Sequence, residues 1–106
     1  MRLKKYRLLA EAEEELYSAI LYYRHESNRA SRDFVSAYAR ALKLARAFPH
    51  AGAPVDLPVR QMILGRFPYS ILYLLNEKDD TLYIVSVAHQ SRHQDYWRGR
   101  LEDNAE

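Results

Sequence analysis

The stretch Tyr69–Ala88, "YSILYLLNEKDDTLYIVSVA", contains two apolar runs separated by the polar segment Asn76–Asp80. Successive side chains of a strand point to opposite faces. In the first run Tyr69, Ile71, Tyr73 and Leu75 therefore share one face, and Leu72 and Leu74 take the other. In the second, Tyr83, Val85 and Val87 alternate with Leu82, Ile84 and Ala88. A hairpin with one wet face would alternate apolar with polar residues. Apolar residues on both faces place this hairpin in the middle of a sheet covered on both sides.

Upstream, "VRQMIL" (residues 59–64) reads as a further strand, and "PHAGAPVDLP" (residues 49–58) as a rigid, proline-bounded connection. Before it the period changes. Phe34, Ala37, Tyr38, Ala41, Ala45 and Phe48 recur at helical spacing, with Arg29, Arg32, Arg40 and Lys43 on the opposite arc. Ala12, Leu16, Ala19, Ile20 and Tyr23 form a second stripe, ending at "ESNRAS", where Ser27 or Asn28 is a plausible cap. Tyr22 and Tyr23 are expected to pack the first helix on the second. Glu11, Glu13, Glu14 and Glu15 fall in the first turns, where the helix dipole favours acids. Residues 3–8, "LKKYRL", are an imperfectly alternating strand candidate, and "QDYWRGRLEDNAE" closes the chain as a short helix or tail.

The expected fold is α+β in the order β-α-α-β-β-β. A single domain spans residues 1–106, with a helical hairpin packed on one face of a twisted, mainly antiparallel sheet. The sheet's other face then needs cover from the tail or from a partner.

Composition narrows the function classes. The chain has no cysteine, which excludes a disulfide scaffold and a thiolate metal site. His25 and His50 lie in unrelated segments without metal-ligand spacing, so neither metal nor cofactor is expected. No apolar run reaches the ~20 residues of a bilayer span, and the basic N-terminal stretch lacks a signal-peptide core. No membrane contact and a cytoplasmic location are the expectation. The net charge of +2 hides local clusters, among them Arg2, Lys4, Lys5 and Arg7 at the start. Such clusters point to a modestly anionic partner or simply to a solvated surface. Nine tyrosines against three phenylalanines put apolar rings with wettable tips at core edges or interfaces.

Taken in order, these segments resemble the RelE/ParE superfamily of bacterial type II toxins, and the likeness runs over nearly the whole chain. It is carried by "AEAEEELYSAILYYR", by "FVSAYARALKLARAFPHAG", and by "VRQMILGRFPYSILY" with Phe67-Pro68-Tyr69 and Tyr73. It ends in the H-x-x-R-x-x-x-Y-W arrangement of His89, Arg92, Tyr96 and Trp97. One departure is Gln94, where ParE-like members usually have proline two residues after the arginine. The resemblance implies a plasmid-stabilization type of toxin neutralised by a cognate antitoxin in a hetero-oligomeric complex. Its ParE-like branch inhibits DNA gyrase without known catalysis, and its RelE-like branch cuts mRNA on the ribosome. "FPYSILY" and the His-to-Trp arrangement match the ParE-like branch better.

Each branch makes its own demands. Metal-independent RNA cleavage needs a base, an acid and cations around one phosphate. His89 for proton transfer, Arg66 and Arg92 (with Arg60) for the phosphate, and Tyr96 for stacking would form that set. With four lysines and Gln90 in place of a second arginine, few RNA phosphates would be neutralised. A gyrase inhibitor needs a contact surface, for which Arg60, His89, Arg92, Tyr96, Trp97 and Arg98 are the candidates, with Arg100 beside them, because Trp, Tyr and Arg anchor interfaces. The bland alternatives are a surface histidine, Arg92 paired with Asp95, and Trp97 as a core plug. A non-toxic relative that only binds antitoxin is the third functional reading. For the antitoxin, an exposed sheet edge or half-covered face would receive an added strand or helix. The basic start and the Arg29/Arg40 arc would favour an acidic segment.

Overall fold

The computed structural model describes residues 2–92 and 95–103. The elements are β1 (Lys5–Leu8), α1 (Ala10–Glu26), α2 (Asn28–Ala47), β2 (Ala53–Asp56), β3 (Val59–Ile63), β4 (Tyr69–Asn76), β5 (Thr81–His89) and α3 (Arg98–Asp103). They form one five-stranded sheet in the order β1-β5-β4-β3-β2. β1 runs parallel to β5 and the other neighbours are antiparallel. The fold is therefore the expected helical hairpin on a mainly antiparallel sheet, with one more strand than expected. Among the described residues no helix is long and apolar enough to cross a membrane.

Ser27 alone links the two helices. Its backbone is extended, its amide closes the last turn of α1 on Tyr23, and its Oγ accepts the Ala30 amide at 2.9 Å. One residue thus ends one helix and caps the next, which forces an antiparallel hairpin. Phe34, Ala37, Ala41 and Ala45 of α2 are buried as the stripe predicts, whereas Phe48, the C-cap, is half exposed. Tyr23 stacks on Phe34 with ring centres 5.1 Å apart. Tyr22, expected to share this packing, instead lies on the surface with 60% exposure.

The helices cover one face of the sheet, burying Leu82, Ile84, Val87, Ile71 and Tyr73. The other face carries a smaller core of Val59, Leu72, Val85 and Trp97, with Leu9, Tyr96 and Leu101 around it. The tail supplies the cover that the doubly apolar hairpin required. Val85 and Val87, which simple alternation puts on one face, lie in opposite cores. A bulge is the cause: Leu72 pairs with Ser86 but Tyr73 pairs with Ile84, so Val85 is the extra residue.

The connection "PHAGAPVDLP" contains β2, an edge strand that the prolines concealed. Pro54 is compatible with an edge, where a ladder amide can be missing, and the register slips between Pro54 and Asp56. A cis Leu57–Pro58 bond lies between β2 and β3. Buried Tyr73 holds this connection to the sheet. Its hydroxyl donates to the Pro49 carbonyl at 2.9 Å and accepts the Gly52 amide at 3.1 Å. A Cβ on Gly52 would sit 2.4 Å from that hydroxyl and 2.7 Å from the Gln61 carbonyl oxygen. Because the second atom is sheet backbone, Gly52→Ala is expected to destabilise the protein by about 1–3 kcal/mol, read as a lowered urea midpoint.

Candidate functional site

On the face opposite the helical hairpin, β3, β4 and β5 form the floor of an open cleft of about 460 Å³. Gln61, Ile63, Ser70, Leu72 and Ala88 line the floor, Pro54 and Val55 one side, and Arg92, Tyr96 and Trp97 the other. His89 and Gln90 close the end where β5 runs out. Ile63, 62% exposed, makes the mouth apolar.

The structure brings His89, Arg92, Tyr96 and Trp97 to this cleft and leaves the other candidates elsewhere. Trp97 is not a surface anchor. It is 2% exposed and fills the smaller core, because its ring is the largest apolar group available to cover Val59, Leu72 and Val85. Arg60 is also displaced from the contact set. It pairs with Tyr73 on the helix-covered side, and its guanidinium donates to the Gly52 carbonyl at 3.1 Å. Strand periodicity separates Arg60 from Gln61, and Gln61 faces the cleft. Arg66 stands exposed in the β3–β4 turn with φ of 75°, outside the cleft lining. Left-handed backbone costs a non-glycine residue about 1–2 kcal/mol. Arg98 borders Trp97 at 4.9 Å but is engaged by Asp95 at 2.8 Å and by Asp56. It ties α3 to β2. Gln94, the departure in the motif, lies outside the described residues.

Three residues keep chemistry facing the cleft. Arg92 lies over the Tyr96 ring, 4.0 Å from its centre, an exposed cation on an aromatic face. Burial pushes the Tyr96 hydroxyl up; the Ser86 hydrogen bond and the Arg100 charge oppose the rise, and Glu15 adds to it. The phenol therefore stays a neutral donor at physiological pH. His89 packs edge-on against Tyr69 at 5.0 Å. Its Nδ1 accepts the Ser91 amide at 3.0 Å and meets the Ser91 hydroxyl at 2.8 Å. The neutral ring then carries its proton on Nε2, and its one acceptor lone pair is occupied. Such a histidine can donate a hydrogen bond but is poorly arranged to take a proton from a substrate.

Behind this wall lies a cluster that reading the sequence missed. β1 leaves the sheet at Leu9, whose amide bonds the Ile84 carbonyl at 3.0 Å, and beyond that point no strand among the described residues pairs with β5 on this side. Two side chains take the strand's place. Arg100 donates to the Val85 carbonyl at 3.0 Å, and Glu15 accepts the Val87 amide at 3.1 Å. Arg100 and Glu15 join each other through two parallel bonds of 2.8 and 2.9 Å. Ser86 Oγ donates to Glu15 at 2.9 Å and receives the Tyr96 hydroxyl. Burial would raise the Glu15 pKa, but bonds from Arg100, Ser86 and the Val87 amide, with the Arg100 charge, hold it below its ordinary value. Arg100, expected among exposed contact arginines, is instead part-buried in this pair. One signal was present. Glu15 lies three residues after Ala12 and four before Ala19, the two buried residues of α1, so it shares their face.

A profile described as ParE toxin of type II toxin-antitoxin system, parDE, matches residues 6–94. None of the curated proteins matches the sequence. Among solved structures, a chain of the chromosomal ParDE toxin–antitoxin system from P. aeruginosa is similar at a TM-score of 0.68 and 19% identity. The alignment covers 82% of this chain and 96% of that one, and at such identity it speaks for the fold. With the profile spanning most of the chain and the hairpin-on-sheet architecture in place, this protein belongs to the ParE toxin family of type II toxin–antitoxin systems.

Proposed function

We propose that this chain is a toxin that inhibits DNA gyrase by binding it, and that a cognate antitoxin neutralises it in a hetero-oligomeric complex. The observation that carries this reading is the make-up of the cleft. An aromatic–cation wall of Tyr96 and Arg92 flanks a mixed floor, with Gln61 and Ser70 beside Leu72 and Ala88 and exposed Ile63 at the mouth, as befits a protein-contact surface with a polar rim. The set an RNA-cleaving site would need is dispersed: Arg60 lies on the other face, Arg66 is outside the cleft, and the acceptor nitrogen of His89 is engaged. For the antitoxin, the exposed arc of Arg29, Arg32, Arg40 and Lys43 on α2 supports an acidic partner segment.

Induced expression with parallel readouts of supercoiling and protein synthesis tests the reading. Loss of supercoiling and DNA-damage signalling while translation continues is the expected result. Rapid translation arrest with cleaved transcripts would establish the ribonuclease alternative instead, and absence of any toxicity would leave an antitoxin-binding relative. The variant His89→Ala sharpens the contrast. As a rim contact it should weaken inhibition by no more than ~1–2 kcal/mol, about 5- to 30-fold, whereas a proton-transfer residue would lose ~10²–10⁴-fold.

A further inference from the structure

We infer that Glu15, on the helix-covered side and absent from the cleft lining, is the positioning residue of the target-facing wall. The inference rests on the contact role proposed for Tyr96 and Arg92. The Tyr96 ring is held at three points: Arg92 at 4.0 Å, Arg100 at 4.8 Å, and its hydroxyl on Ser86. Two of those three holds, Arg100 and Ser86, terminate on the same Glu15 carboxylate. That carboxylate is anchored in turn to the Val87 amide of the sheet. The direction of donation is also set. Ser86 spends its proton on Glu15, so its oxygen must receive from Tyr96, which points the phenol inward and leaves the ring to carry Arg92.

Other acids nearby are engaged elsewhere, exposed, or weaker in effect: Glu11 adds only the smallest charge effect on Arg100. Asp95, the nearest acid in sequence to Tyr96, is bonded to Arg98 on the surface. Glu13 and Glu14 of α1 are exposed and point away from the buried stripe that Glu15 shares. The bulge at Val85 matters here as well. It is what turns the Val85 carbonyl and the Val87 amide toward the vacated strand position, where Arg100 and Glu15 meet them. Two of the three holds on the wall are thus set by α1 through the sheet edge, from a residue outside the cleft lining.

A thermodynamic cycle tests this. Glu15→Gln keeps the shape and the Val87 contact but removes the charge that grips Arg100. Arg100→Gln breaks the same pair from the other end and carries the test if the first variant folds poorly. Inhibition of growth on titrated induction should weaken about tenfold for either variant in the natural background, and less than about twofold when Tyr96→Ala is already present. Equal losses in both backgrounds, with Tyr96→Ala itself impaired, would overturn the positioning role while leaving the cleft as the contact site. A Tyr96→Ala chain as potent as the natural one would remove the cleft itself. A second readout needs no target: emission of Trp97, the only tryptophan, should move to the red in both pair variants while helix content holds. Unchanged emission would also overturn the inference.

Discussion

Trp97→Ala is expected to cost about 3–5 kcal/mol of stability, the range for emptying a fully buried large aromatic site. Domains of this size are typically stable by about 5–15 kcal/mol, so the variant should be close to unfolding under mild urea. The magnitude follows from where the ring sits. It is 2% exposed and packs against Val59, Leu72 and Val85, the apolar residues of the sheet face opposite the helical hairpin. Nothing else among the described residues is large enough to close that face, since Leu101 and Tyr96 only border it. Urea denaturation followed by circular dichroism provides the measurement. A loss under about 1 kcal/mol would contradict the core role and favour the contact alternative for Trp97.

Arg100→Ala should be the second most damaging change, at about 2–4 kcal/mol near neutral pH. Breaking a fully buried ion pair typically costs about 3–5 kcal/mol, and the lower figure reflects side chains that keep 13% and 17% exposure. Its loss leaves the Glu15 carboxylate without its cation and the Val85 carbonyl without a donor. The effect should depend on pH with a definite sign. The Glu15 pKa is held below its ordinary value of 4.5 in the folded chain, despite the opposing pull of burial. The pair's stabilisation is therefore fully present above 4.5 and disappears as pH falls through the depressed folded value. The stability gap between the natural chain and Arg100→Ala should thus be constant from neutral pH down to about 5 and narrow below it. A gap that widens on acidification would contradict the assignment.

Much of the architecture was legible because local pattern and global packing agree. The hairpin Tyr69–Ala88 is apolar on both faces, so it had to be central, and β4 and β5 are inner strands with β4 in the middle of the sheet. The alanine-rich stripe of α2 met the sheet as its period required, and Ser27 capped the helix it preceded. What escaped was decided by tertiary contacts. β2 is an edge strand, where Pro54 and a register slip carry little penalty, so the proline that hid it was no obstacle to forming it. The bulge at Val85 reverses the alternation of β5, and no local feature of "IVSVA" marks it. Its stabilising partners, Glu15 and Arg100, are 85 positions apart in sequence.

The site was legible to a lesser degree. His89, Arg92, Tyr96 and Trp97, close in sequence, all line one cleft, since all lie within or just after one strand end. Type left Trp97 open between contact and core plug and put Arg60 among the contacts; burial made Trp97 the plug, and strand parity moved Arg60 to the other face. Arginine and tryptophan are favoured both at interfaces and in structural roles, so their presence near a site does not distinguish the two.

The most direct test of the account is a supercoiling reaction with purified DNA gyrase, titrated with the natural chain and with the double variant Arg92→Ala/Tyr96→Ala. Dose-dependent inhibition by the natural chain, and a rightward shift of at least about 30-fold for a double variant that remains folded, is the predicted result. Full supercoiling at every dose of the natural chain, or equal potency of the folded double variant, would contradict it.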